Sequence, residues 1–80
     1  MVRELGRFVV CDPLVCHGQP TIRGTRILVR GILDGLRDGL TWDEITYDTD
    51  GAATPEVIRE VIQLAAQALL EQVKPIKLTA

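Results

Sequence analysis

Aromatic side chains are nearly missing from this chain, with one Phe, one Trp and one Tyr among 80 residues. An interior of this size must then be built from Val, Ile, Leu and Ala, each of which buries little area. A chain so short buries only about 60% of the surface that its unfolded form exposes. Self-association or a partner is therefore an expected source of further stability. Long apolar runs are also lacking: none approaches the ~20 residues of a membrane span, and MVRELGRF has no apolar signal segment, so a cytoplasmic protein with no membrane partner is expected. Two cysteines, Cys11 and Cys16, are too few for a disulfide scaffold and agree with a reducing compartment.

Histidine occurs once, at His17, and no Ser or Lys stands in a recognisable nucleophile setting, so no catalytic residue is assigned and the chain is read as a non-enzyme. Cys11, Cys16 and His17 have the chemistry of zinc ligands, but no second pair of Cys or His completes a closed site; neither metal nor cofactor is expected. The scattered carboxylates Asp12, Asp34, Asp38, Asp43, Glu44, Asp48 and Asp50 read mostly as caps, turn residues and solvent-facing groups.

What is present is an uneven charge. Residues 1–40 carry six Arg against four acids, whereas residues 41–80 carry one Arg and two Lys against seven acids. Within the basic half, TIRGTRILVR (residues 21–30) sets three arginines around one glycine. Gly24 and Thr25 suit the centre of a type II′ turn, in which glycine takes the positive φ. That reversal sets Ile22 opposite Ile27 and Arg23 opposite Arg26, with facing Cβ atoms about 5 Å apart. An opposed like-charge pair is destabilising without an intervening anion, and arginine's planar fork binds phosphate or carboxylate bidentately. Arg23, Gly24, Thr25, Arg26 and Arg30 thus form a candidate anion-, DNA- or partner-binding group. The alternative is internal neutralisation by Asp12, Asp34 or Asp38.

The rest of the chain reads as one domain over residues 1–80, with no repeat, linker or low-complexity tract. Phe8–Cys11 is a strand-like run stopped by Asp12-Pro13, and Cys16–Pro20 reads as a loop. From Val29 the period becomes helical: Val29, Ile32, Leu33, Leu36 and Leu40 fall on one side, and Gly39 ends the helix. Gly31 and Gly35 lie beside that apolar arc, each costing roughly 1 kcal/mol of helix propensity relative to alanine. Thr41 and Glu44 form a capping box for a short helix from Trp42 to about Tyr47. Thr54 and Pro55 open a third helix, predicted to run to about Val73 before Pro75. Its apolar arc covers about half the circumference, wider than the ~100° stripe of a helix packed on one side. Val57, Val61, Leu64, Ala68 and Leu69 are accordingly read as a dimer or partner interface. The predicted plan is a β arm and hairpin over 1–28, a three-helix unit over 29–73 and a tail over 74–80. Three helices with a short middle member suggest a helix-turn-helix unit, although the third helix offers few donors for base edges.

The segments DPLVCHGQPTIRGTRILVRGILDGLRDGLTWDEI and TPEVIREVIQLAA resemble the small bacterial family known as domain of unknown function 433, over about Asp12 to Ala66. The resemblance rests on Asp-Pro, Gly-x-Pro, IRGTRI, a Val-Arg helix, Gly-Leu-Thr and Thr-Pro-Glu-x-Ile. It implies a mainly α, helix-turn-helix (homeodomain-like) fold with a short N-terminal β-hairpin or arm. It further implies an antitoxin of a type II toxin–antitoxin pair, neutralising a PIN-like ribonuclease encoded beside it. Arg23, Gly24, Thr25, Arg26 and Arg30 are its signature positions here. Leu28 stands where proline is usual, Gly31 and Gly35 replace larger residues, and DTDGAA is a longer connection. The expected protein is a homodimer that blocks a nuclease and binds its promoter DNA; alternatives are a repressor without a toxin partner and a structural module.

Overall fold

Local signals place the helices of the computed structural model, which describes residues 1–73. Helix α1 (Val29–Arg37) ends where Gly39 takes a left-handed φ of 88°. There the Leu40 N–H donates to the Gly35 carbonyl at 3.0 Å and the Gly39 N–H to the Leu36 carbonyl at 3.2 Å, a Schellman closure of the last turn. Helix α2 (Trp42–Asp48) begins with the capping box: the Thr41 N–H donates to Glu44 Oε1 at 3.0 Å, and the Glu44 N–H to Thr41 Oγ1 at 3.1 Å. Helix α3 (Pro55–Gln72) is capped by Thr54, whose hydroxyl accepts from the Val57 N–H. Pro75 and the tail lie outside the described residues.

The N-terminal third forms a three-stranded antiparallel sheet in chain order, β1 (Arg3–Glu4), β2 (Val9–Cys11) and β3 (Pro20–Ile22). Arg3 pairs with Cys11 and Glu4 with Val10; Val9 then faces Ile22 across β2 and β3. The fold is a mixed α/β arrangement of three helices and this small sheet, which corrects the expected hairpin over residues 21–28. On its other edge β3 meets residues 27–28 only through the Thr21–Leu28 bridge and the bond from the Ile22 N–H to the Ile27 carbonyl, so the expected hairpin is reduced to a short contact beside the sheet.

One core joins the layers. Val9 and Ile22 of the sheet pack with Ile32 of α1, Ile45 of α2, and Val57, Ile58 and Val61 of α3. Ala53 completes it from the connection between α2 and α3, which is itself tightly bonded. Thr46 Oγ1 donates to the Ala53 carbonyl at 2.6 Å, and the Ala53 N–H donates to Thr49 Oγ1 at 3.0 Å. Asp50 and Gly51 close α2 through left-handed φ values of 53° and 85°. The Gly51 N–H reaches the Thr46 carbonyl at 2.8 Å.

The two helix glycines separate clearly. A Cβ on Gly35 would meet Leu40 Cδ1 at 3.2 Å and Ile45 Cγ1 at 3.5 Å, so Gly35 admits α2 to close approach. A Cβ on Gly31 would meet nothing within 4 Å.

Candidate anion- and partner-binding surfaces

The reversal at Gly24 differs from the expected type II′ turn. The Thr25 N–H donates to the Ile22 carbonyl at 3.0 Å, which makes Gly24 the third residue of the turn, with φ 76°. That is the position at which a type II turn requires glycine. Ile22 still meets Ile27, its N–H donating to the Ile27 carbonyl at 3.0 Å. Beyond that pair the expected ladder stops. Thr25 Oγ1 donates to the Ile22 carbonyl at 2.8 Å and accepts from the Ile27 N–H at 3.0 Å, while the Arg23 N–H donates to Phe8 of the neighbouring strand segment at 2.7 Å.

Arg23 therefore belongs to the sheet. Its guanidinium pairs with Glu4 at 3.1 Å and donates to the carbonyls of Arg7, at 3.1 Å, and Gly6, at 3.5 Å. Internal neutralisation occurs, but through Glu4 and not through Asp12, Asp34 or Asp38. Asp12 accepts from the Leu14 N–H at 2.9 Å, and Asp34 and Asp38 pair with Arg37 at 3.3 and 3.0 Å. Asp38 and then Asp34 raise the Arg37 pKa above its ordinary value.

Arg26 and Arg30 are exposed, and neither has an ion-pair partner among the described residues. Arg30 lies in the first turn of α1, which has no acidic residue and whose N-cap, Leu28, has no side chain able to cap. The positive end of the helix dipole is thus added to the two guanidinium groups. Arg26 also borders two clefts. One, of about 290 Å³, lies between α1 and α2 with Gly31, Ile32, Gly35, Leu40 and Ile45 in its walls. The other, of about 410 Å³, is shared with Asp12, Thr21 and Thr25.

On α3 the proposed interface residues divide. Val57 and Val61 are 3% and 0% exposed, which corrects their assignment to a surface: the sheet and α1 cover them. Leu64 is half-buried, whereas Ala68 and Leu69 are exposed. Leu70 and Val73 extend the exposed apolar end of the helix, at 71% and 58%. Leu70 falls outside the helical arc, and the Leu69-Leu70 pair was the signal that apolar surface continues around the helix at this end.

Glu60 was not legible from local pattern at all. From α3 its carboxylate accepts from three successive backbone N–H groups, of Arg7 and Phe8 at 2.7 Å and Val9 at 3.0 Å. A Cβ on Gly6 would lie 2.7 Å from the Glu60 carboxyl carbon, so glycine here leaves room for the carboxylate in this position. Nearby on α3, Arg59 lies over the Trp42 ring at 5.8 Å.

Cys11 and Cys16 are unbridged thiols. Among the described residues, no group of three or more His, Cys, Asp and Glu side chains gathers as a metal site would require. No described helix is long and apolar enough to cross a membrane.

The family model described as "Protein of unknown function (DUF433)" matches residues 9–65. No curated protein and no solved structure matches the chain.

Proposed function

The chain belongs to the DUF433 family, and we propose that it works as a non-enzymatic antitoxin that binds and neutralises a PIN-like ribonuclease. The observation that carries this reading is the outer half of α3. Beyond Leu64 the helix leaves the core, yet Leu69, Leu70 and the C-cap Val73 are apolar at 61%, 71% and 58% exposure. Contiguous exposed apolar surface of this kind fits a protein interface. The acidic balance of residues 41–80 complements the basic cleft that a ribonuclease needs for RNA. A homodimer formed through the same end of α3 belongs to this reading.

Co-expression with the neighbouring gene product tests it. A stable, inactive complex is expected, and Leu69→Asp with Leu70→Asp is expected to release active nuclease while leaving the fold intact. Recovery of fully active nuclease alongside the unaltered chain would dismiss the proposal.

Exposed Arg26 and Arg30 at the positive end of α1 favour a second role in the same protein, binding to its own promoter DNA. In this reading α2 and α3 serve as a helix-turn-helix scaffold and the contacts are to backbone phosphates. Binding should weaken steeply with salt, and Arg26→Ala with Arg30→Ala should flatten that slope by about two counterions. An unchanged slope would remove both arginines from the interface.

A further inference from the structure

We propose that residues 1–8 form a strap that opens from the body as a unit, held shut by Glu60 of α3 and Arg23 of the β3 turn. The two residues grip opposite polar edges of one tight bend. Glu60 takes the N–H groups of Arg7, Phe8 and Val9, and Arg23 takes the carbonyls of Gly6 and Arg7 with its side chain and that of Phe8 with its own N–H. Arg23 also pairs with Glu4 inside the strap.

Beyond this grip the strap is held by the short β1–β2 pairing and by the Leu5 and Gly6 N–H groups, which donate to the Val9 carbonyl at 3.0 and 3.2 Å. β1 is two residues long and both are exposed. Leu5 and Phe8 are only partly buried, whereas Val9, the first residue beyond, is 1% exposed and belongs to the core. The packing boundary thus coincides with the end of the bend. The grip is polar and half open to solvent, so water replaces its hydrogen bonds when the strap lifts. The core below Val9 has no such substitute and stays closed. Segments with few buried contacts and solvent-accessible hydrogen bonds open independently of global unfolding.

The strap covers something specific. Leu5 forms one wall of a cleft of about 190 Å³ whose other walls include Val9, Leu33, Val61, Leu64 and Ala68. Lifting the strap removes Leu5 and uncovers the side of α3 that carries Val61, Leu64 and Ala68. The latch thereby sets how much apolar surface α3 presents. This device is a property of the chain alone and stands whether or not the partner is a nuclease.

Amide hydrogen exchange on the full chain, read residue by residue, tests it. In Glu60→Ala the N–H groups of Arg7, Phe8 and Val9 should exchange about tenfold faster or more. Core amides of α1 and α3, such as those of Ile32 and Val61, should keep their wild-type rates. Arg23→Ala should speed the same segment, and it provides the readout if Glu60→Ala does not fold. A hydrophobic dye should brighten with both variants. Equal acceleration across strap and helices would overturn the proposal by showing a single cooperative unit. Unchanged exchange at Arg7 to Val9 would overturn it by showing that neither residue holds the strap.

Discussion

Helix α2 is fixed by a capping box whose partners, Thr41 and Glu44, stand three residues apart. The bend between β1 and β2 is fixed by Glu60, more than fifty residues away. Both devices satisfy backbone N–H groups with a glutamate carboxylate, and they differ only in where the chain supplies it. A cap is written within one turn of helix, so it forms wherever the helix forms. Leu5 and Gly6 bond locally to the Val9 carbonyl, but the N–H groups of Arg7, Phe8 and Val9 have their acceptor only after α3 has docked on the sheet. The helical body is therefore built from locally specified pieces around a shared core, while the sheet's outer edge depends on the assembled whole.

The sharpest break in that comparison is the core common to both regions. Ile58 is fully buried, and Ile58→Ala should cost about 2–5 kcal/mol, lowering the urea midpoint of sheet and helix signals together. Separate midpoints would show that the two regions do not share one cooperative core. Gly6→Ala comes next. Its methyl displaces the Glu60 carboxylate from three N–H groups, a loss on the order of 1.5–3 kcal/mol for charge-assisted hydrogen bonds. A stability equal to wild type would mean that the carboxylate relocates without penalty.

Thr41→Ala, a purely local change, should cost about 1 kcal/mol and leave the strap's exchange untouched. The same cap gives a pH signature. The Thr41 N–H, followed by its hydroxyl, holds the Glu44 pKa below its ordinary value. With a folded pKa below the unfolded one, the contribution of Glu44 is full above the ordinary glutamate range and fades as pH falls through the lowered value. Glu44→Gln should flatten that part of a stability–pH curve, and an unaltered curve would assign the acid sensitivity elsewhere. Smallest, and opposite in sign, is Gly31→Ala, which gains up to about 1 kcal/mol because nothing obstructs the new methyl. Gly35→Ala should gain less or lose, since Leu40 must give way, and the pair compared by thermal melts separates propensity from packing.

The same contrast explains what could be read from the sequence. All three helices were legible within a residue or two, because Gly39, Thr41 with Glu44, and Thr54 with Pro55 act within a turn of where they stand. β2 was legible from its β-branched run. The partner of β3 was not, because Thr21 and Ile22 pair equally well in sequence terms with residues 27–28 or with Val9 and Val10. In the fold both occur: β3 pairs with β2 on one edge and meets Ile27 and Leu28 on the other. Arg23 and Arg26 looked equivalent for the same reason, yet one is bound to Glu4 and two carbonyls and the other is exposed. On α3, periodicity marked the apolar positions but not which of them the chain itself covers. Val57 and Val61 went inward and Leu69 stayed out, because the sheet and α1 meet the side of the helix that carries Val61, Leu64 and Ala68 and not the side that carries Leu69.

The connection between α2 and α3 satisfies its polar groups with its own hydrogen bonds, which favours one angle between the two helices. Thr46, Thr49 and the left-handed pair Asp50-Gly51 tie together a stretch whose composition is that of a turn. A molecule that touches both helices at once meets a preformed frame and loses less entropy in ordering it. Preorganisation of this kind makes selectivity at that face depend on fit to a shape set before binding.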